Sequence, residues 1–60
     1  MAWLAVDKDG DEYIYSSEPE RDDDLFVNSE YDGKFFELPN GSIEKLIGKK
    51  LTWDDEPVEI

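Results

Sequence analysis

An Asp-Gly pair at Asp9-Gly10, set between two segments of alternating hydrophobicity, commits the start of the chain to a β-hairpin. In the first segment, Trp3 to Val6, Leu4 and Val6 share one face of a strand while Trp3 and Ala5 share the other. In the second, Ile14 faces opposite Tyr13 and Tyr15. Such a hairpin has two faces to cover, and only 60 residues are on hand to cover them. A chain of that size buries only about 60% of the surface its unfolded form exposes. One small domain over 1–60 is therefore expected, with no separate catalytic or cofactor domain.

Ser16 to Asp24 is polar, carries Pro19 and ends in three aspartates, so a loop is expected, with its acidic part, 18–24, mobile. Leu25-Phe26-Val27 is a short apolar run. Tyr31-Asp32-Gly33-Lys34 reads as a turn, which would join Leu25–Val27 and Lys34–Leu38 into a second hairpin. After Pro39-Asn40-Gly41 the apolar period changes. Ile43, Leu46 and Ile47 stand at i, i+3 and i+4, on one face of a short helix with Ser42 as its N-cap and Gly48 beyond its end. Leu51 and Trp53 then resume an extended pattern on one face, and Val58 and Ile60 end on a sheet edge. The expected fold is α+β: a small, mostly antiparallel sheet of 4–5 short strands with one short helix packed on one face. The coarse order is ββββαβ, or βββαβ if Leu25–Val27 is loop.

Charge and residue usage exclude several functions. Seventeen acids against six bases leave a net charge of −11, which disfavours direct nucleic-acid binding and association with anionic membranes. There is no cysteine and no histidine, so disulfides, thiolate chemistry, the usual zinc ligand and the usual proton shuttle are all absent. No cofactor is expected. The longest apolar stretch, Ala2 to Val6, is far short of the ~20 residues that cross a bilayer, and Met1 to Val6 does not read as a signal peptide. A cytoplasmic location follows as the expectation. Paired carboxylates serve glycosidases, but that chemistry needs a cleft that excludes water, and so short a chain is not expected to be an enzyme.

Asp7 to Glu18 resembles a calcium-binding EF-hand loop, with carboxylates at its first, third and fifth places and Glu18 at its twelfth. It departs from that pattern at Glu12, where glycine belongs, and in lacking room for a preceding helix. The simpler reading is a turn whose aspartates and glycine serve backbone geometry, with a weak calcium-binding hairpin loop as a third functional reading.

The residues expected to meet a partner are the acidic run Glu18, Glu20, Asp22, Asp23 and Asp24, interrupted by Arg21, together with Asp54 and Asp55. An exposed aromatic anchor among Trp3, Tyr13 and Tyr15 is expected beside them, on the hairpin face that the helix leaves bare. Phe35 and Phe36 cannot both point inward on a regular strand, so one is exposed, at an edge or at an interface. Lys45, Lys49 and Lys50 gather at the helix end, where they offset its dipole.

The opening WLAVDKDG (Trp3 to Gly10) and the close SIEKLIGKKLTWDDEPVEI (Ser42 to Ile60) resemble a group of short acidic proteins of bacteriophage and prophage genomes. The resemblance covers about half the chain and departs most between Ser17 and Lys34. It implies a phage or mobile-element origin, in the cytoplasm of an infected or lysogenic bacterial host, and carries no functional residue. Charge, size and this resemblance together suggest a non-enzymatic acidic module that binds a host protein with a basic surface. The expected role is an inhibitor or modulator of a defence or nucleic-acid-handling protein, acting by charge-steered occlusion or DNA mimicry. The alternative is a small homo-oligomeric structural or assembly accessory protein of a phage.

Overall fold

The computed structural model describes residues 2–28, 30 and 33–60. Its elements are β1 (Trp3–Val6), β2 (Glu12–Tyr15), β3 (Pro19–Asp22), β4 (Leu25–Asn28), β5 (Phe35–Leu38), α1 (Ser42–Ile47) and β6 (Val58–Glu59). β1, β2, β5 and β6 form an antiparallel sheet in the order β5-β2-β1-β6, and β3 and β4 form a separate antiparallel pair. The class is the expected α+β.

The first hairpin forms as its sequence requires. Trp3 pairs with Tyr15, Leu4 with Ile14, Ala5 with Tyr13 and Val6 with Glu12. Its loop closes with the Gly10 N–H donating to the Asp7 C=O and the Asp7 N–H donating to the Asp11 C=O. Gly10 holds φ at 95°, the left-handed conformation that a three-residue hairpin loop places after its turn and that glycine adopts without cost.

Alternation then sorts the side chains into two cores. On one face Leu4, Val6, Ile43 and Leu51 are buried, with Ile14, Leu38, Ile47 and Val58 packed against them. On the other, Ala5, Tyr15 and Phe26 are buried, with Trp3, Tyr13 and Trp53 around them. The helix covers the first face. The β3–β4 pair covers the second, where the Phe26 N–H donates to the Asp7 carboxylate at 3.0 Å and the Tyr15 hydroxyl donates to the Phe26 C=O at 3.3 Å.

Several sequence expectations are corrected. Pro19 to Asp22 is a strand and not part of a loop, because it pairs residue by residue with β4 through a turn at Asp23-Asp24. Asp23 takes φ 51° there, which aspartate tolerates better than most non-glycine residues. β4 and β5 do not form the expected second hairpin. β4 pairs back onto β3, while β5 crosses to the outer side of β2, with Ile14 opposite Phe36. The turn expected at Tyr31–Lys34 lies partly outside the described residues. The chain at 51–53 is not a strand, and its two large residues part company: Leu51 enters the first core and Trp53 the second.

The helix starts differently from the expected serine cap. Gly41 occupies the N-cap, and the Ser42 hydroxyl donates to the Pro39 C=O at 2.6 Å. The cap comes from across the sheet. The Glu12 carboxylate accepts from the Gly41 N–H at 2.7 Å and from the Ile43 N–H at 2.9 Å, filling two of the donors a helix start leaves open. Gly48, at φ 80°, ends the helix as expected and donates its N–H to the Glu44 C=O. In so short a helix Ile43 and Ile47 reach the sheet, while Leu46 turns outward and is 58% exposed.

Replacing Glu12 by alanine should cost about 1–2 kcal/mol, the range of a lost helix cap. Glu12→Gln keeps a carbonyl acceptor and should recover part of that loss. Urea unfolding of the two variants beside the parent measures both. Equal stability of all three would show that the carboxylate does not hold the helix.

Candidate functional site

The acidic residues are drawn together by Arg21. Its guanidinium lies 4.7 Å from the Trp53 ring centroid and 5.1 Å from that of Phe26. From there its Nη2 donates to the Trp53 C=O at 2.7 Å and to the Asp55 C=O at 3.2 Å. Cation–π stacking and charge-assisted bonds to carbonyls both favour arginine over lysine at this position. A basic residue inside an acidic run thus ties β3 to the segment that carries Asp54 and Asp55. That segment is itself turned by the Asp55 carboxylate, which accepts from the Thr52 N–H at 2.8 Å, with the Asp55 N–H donating to the Thr52 C=O.

A second contact brings in the first hairpin loop. The Lys8 N–H donates to the Asp24 C=O at 3.1 Å, and the Lys8 ammonium stands 3.6 Å from the Asp24 carboxylate. Both side chains are well exposed, so the ion pair itself contributes little. A depression of about 280 Å³ lies between the two turns, lined by Asp7, Lys8, Asp9, Asp24 and Leu25. Asp22, Asp23, Asp24, Asp54 and Asp55 are all exposed. Residues separated by some thirty positions are therefore joined into one acidic region around β3, the β3–β4 turn and the 53–55 segment.

Glu20 is exposed on β3, and Glu18 precedes that strand. The aromatic candidates are placed differently from expectation. Tyr15 is 3% exposed, because the face left bare by the helix is occupied by β4, so Tyr15 is a core residue and not an anchor for a partner. Trp3 and Tyr13 are half-buried at the border of the same core. The exposed aromatics are Phe35 and Phe36 instead, both of them, at 54% and 67%. Phe35 sits beside Tyr13 and Tyr15, with centroids 5.9 and 5.8 Å away. A groove of about 300 Å³ runs between this aromatic set and β4, with Leu25, Phe26, Val27, Asn28 and Asp7 on its other walls.

Two aspartates of the calcium-like loop, Asp7 and Asp9, are engaged by the backbone. Asp7 accepts from Phe26, and Asp9 accepts from the Asp11 N–H at 3.3 Å. Among the described residues no three carboxylates are grouped to hold a metal ion. Also among the described residues, no helix is long and apolar enough to cross a membrane.

Asp7 is half-buried, and desolvation raises its pKa above the ordinary value. The Phe26 N–H pulls in the other direction, and the charges of Asp9 and Asp11 add to the rise. Burial also pushes the Tyr15 hydroxyl upward, with Asp7 and Tyr13 contributing. Comparison with protein-family models, with curated proteins and with solved structures gives no match for this chain.

The Asp7 shift has a stability consequence. A carboxyl whose folded pKa is raised holds its proton more tightly in the folded state, so its ionisation costs stability as pH rises through the window between 3.8 and the folded value. Asp7→Asn keeps an oxygen acceptor for Phe26 and removes that cost. The variant should melt higher than the parent at neutral pH, and the gain should vanish on acidification below that window. A gain that stays constant with pH would assign the effect to something other than Asp7 ionisation.

Proposed function

We propose that this chain is a non-enzymatic protein-binding module whose acidic region docks onto a basic surface of a host protein. The observation that supports this best is the joining of two acidic segments, distant in sequence, through Arg21. That joining lets Asp22, Asp23, Asp24, Asp54 and Asp55 act together, with Glu18 and Glu20 flanking them. A surface of one sign speeds encounter with an oppositely charged partner and selects against others. Because the acids stand on a paired strand and a hydrogen-bonded turn, little ordering is left to be done on binding. The phage-like ends of the chain fit an inhibitor or modulator of a defence or nucleic-acid-handling protein, working in the cytoplasm of an infected or lysogenic host. In that case the carboxylates would occlude the groove that otherwise receives phosphates.

The test is capture of host proteins on the immobilised chain through a salt series, with the double variant Asp22→Lys, Asp54→Lys run in parallel. Both positions are exposed, so the fold should be unchanged by circular dichroism. A specific partner should be retained at low salt, released as salt rises and as DNA is added, and associate at least about tenfold more slowly with the variant. A partner held equally by the variant, or indifferent to salt, would overturn docking through the acidic region.

A further inference from the structure

We propose that the chain pairs with a second copy of itself through the outer edge of β5, making one continuous sheet across a two-fold axis. The ladder fixes which backbone groups face that edge. Ser16 donates its N–H to the Lys34 C=O, so Phe36 and Leu38, in the same phase, turn their backbone groups toward β2. The same phase runs through the sheet, where the Asp7 N–H to Asp11 C=O bond extends the β1–β2 ladder. Phe35 and Glu37 therefore aim their N–H and C=O groups outward, and among the described residues nothing pairs with them. Open edges of this kind are templates for another strand, and proteins usually blunt them with charge or proline. Here Lys34 and Pro39 flank the strand, and within it a single charge, Glu37, stands beside Phe35 and Phe36, which are 54% and 67% exposed.

Charge favours a second copy over a basic partner at this place. Residues 33–43 carry one lysine, Lys34, and one glutamate, Glu37, so the segment is neutral within a chain of net charge −11. It offers no acidic excess to select a basic strand, and two copies meeting there bring no local excess of like charge together.

Only one antiparallel register satisfies both strands. If Glu37 faced its own copy, like charges would oppose, and Phe35 would lie across from Pro39, which has no N–H to give. If Phe35 faced its own copy, Glu37 would lie across from Gly33. The Gly33 N–H already donates to the Glu30 C=O, and its C=O already accepts from Asn28. The remaining register sets Phe35 against the partner's Glu37 and Glu37 against the partner's Phe35. It makes four backbone hydrogen bonds and stacks Phe36 directly against the partner's Phe36 in the close, non-hydrogen-bonded position.

Pairing through β5 is distinct from the proposed docking and responds to salt in the opposite sense. Dimerisation removes apolar surface and brings two anionic chains together, so it should tighten as salt screens their repulsion, whereas docking on a basic host surface should weaken. Sedimentation equilibrium of the full chain, over a range of concentration and salt, should find a monomer–dimer equilibrium that shifts toward dimer as salt rises. Phe36→Lys and Phe36→Glu should each be folded and monomeric, since the position is exposed and each variant sets like charges face to face. Mixed together they should form a heterodimer. Glu37→Pro, which removes an outward N–H at an edge where proline is tolerated, should also be monomeric. A parent that stays monomeric at millimolar concentration in high salt would overturn the proposal. So would a dimer that survives these substitutions, or a Lys/Glu mixture that fails to pair.

Discussion

The central strand β1 has no face in water. Leu4 is 0%, Ala5 2% and Val6 5% exposed, on alternating sides of the sheet. In a long chain that would be ordinary, but here it means that 60 residues must supply two covers instead of one. Neither core is large enough to dispense with the other: one buries Leu4, Val6, Ile43 and Leu51, the other Ala5, Tyr15 and Phe26. The helix is too short to persist unsupported. The β3–β4 pair is likewise a two-stranded hairpin, which in water is marginal by itself. Each cover is consequently fastened to the sheet by polar side chains of the first hairpin. Glu12 holds the helix start, while Asp7 and Tyr15 hold the backbone of Phe26.

The second cover also sets where the charge lies. With β3 packed on the sheet, Arg21 lies over Trp53 and Phe26, and its guanidinium donates to the Trp53 and Asp55 carbonyls. The acidic residues of β3 and its turn, and those after Trp53, are thereby held in one region by the packing that completes the core. The edge of the sheet at β5 has no net charge over 33–43 and exposes Phe35 and Phe36. The molecule thus carries an acidic region and an edge of no net charge, and the two call for partners of different chemistry.

Much of this architecture is legible in the residues themselves. The first hairpin follows from alternation about Asp9-Gly10, the helix from Ile43 and Ile47, its end from Gly48, and the last strand from Val58. What is not legible is non-local. Pro19-Glu20-Arg21-Asp22 has no apolar alternation, so its strand is invisible until Arg21 meets Trp53, thirty-two positions away. The segments Leu25–Asn28 and Phe35–Leu38 both look like strands, but nothing in either says that β2 will take the second and leave the first to β3. Glu12 reads as a hairpin residue, and its role as a cap appears only once Gly41 and Ile43 are brought beside it. Leu51 and Trp53 share the spacing of one strand face, yet the turn fastened by Asp55 sends them to different cores. The aromatic surface is hidden for the same reason: covering the second face buries Tyr15 and leaves Phe35 and Phe36, on the edge strand, as the exposed rings.

The two covers and the sheet form one cooperative unit. Native-state hydrogen exchange measures this residue by residue. The amides of Phe26 and its neighbours on β4 should exchange with the same free energy as those of Leu4 and Ala5 on β1, all at the value for global unfolding. If instead the β3–β4 amides exchanged through a cheaper opening while β1, β2 and β5 stayed protected, the second face of β1 could stand in water. The acidic region would then not be held in place by the core.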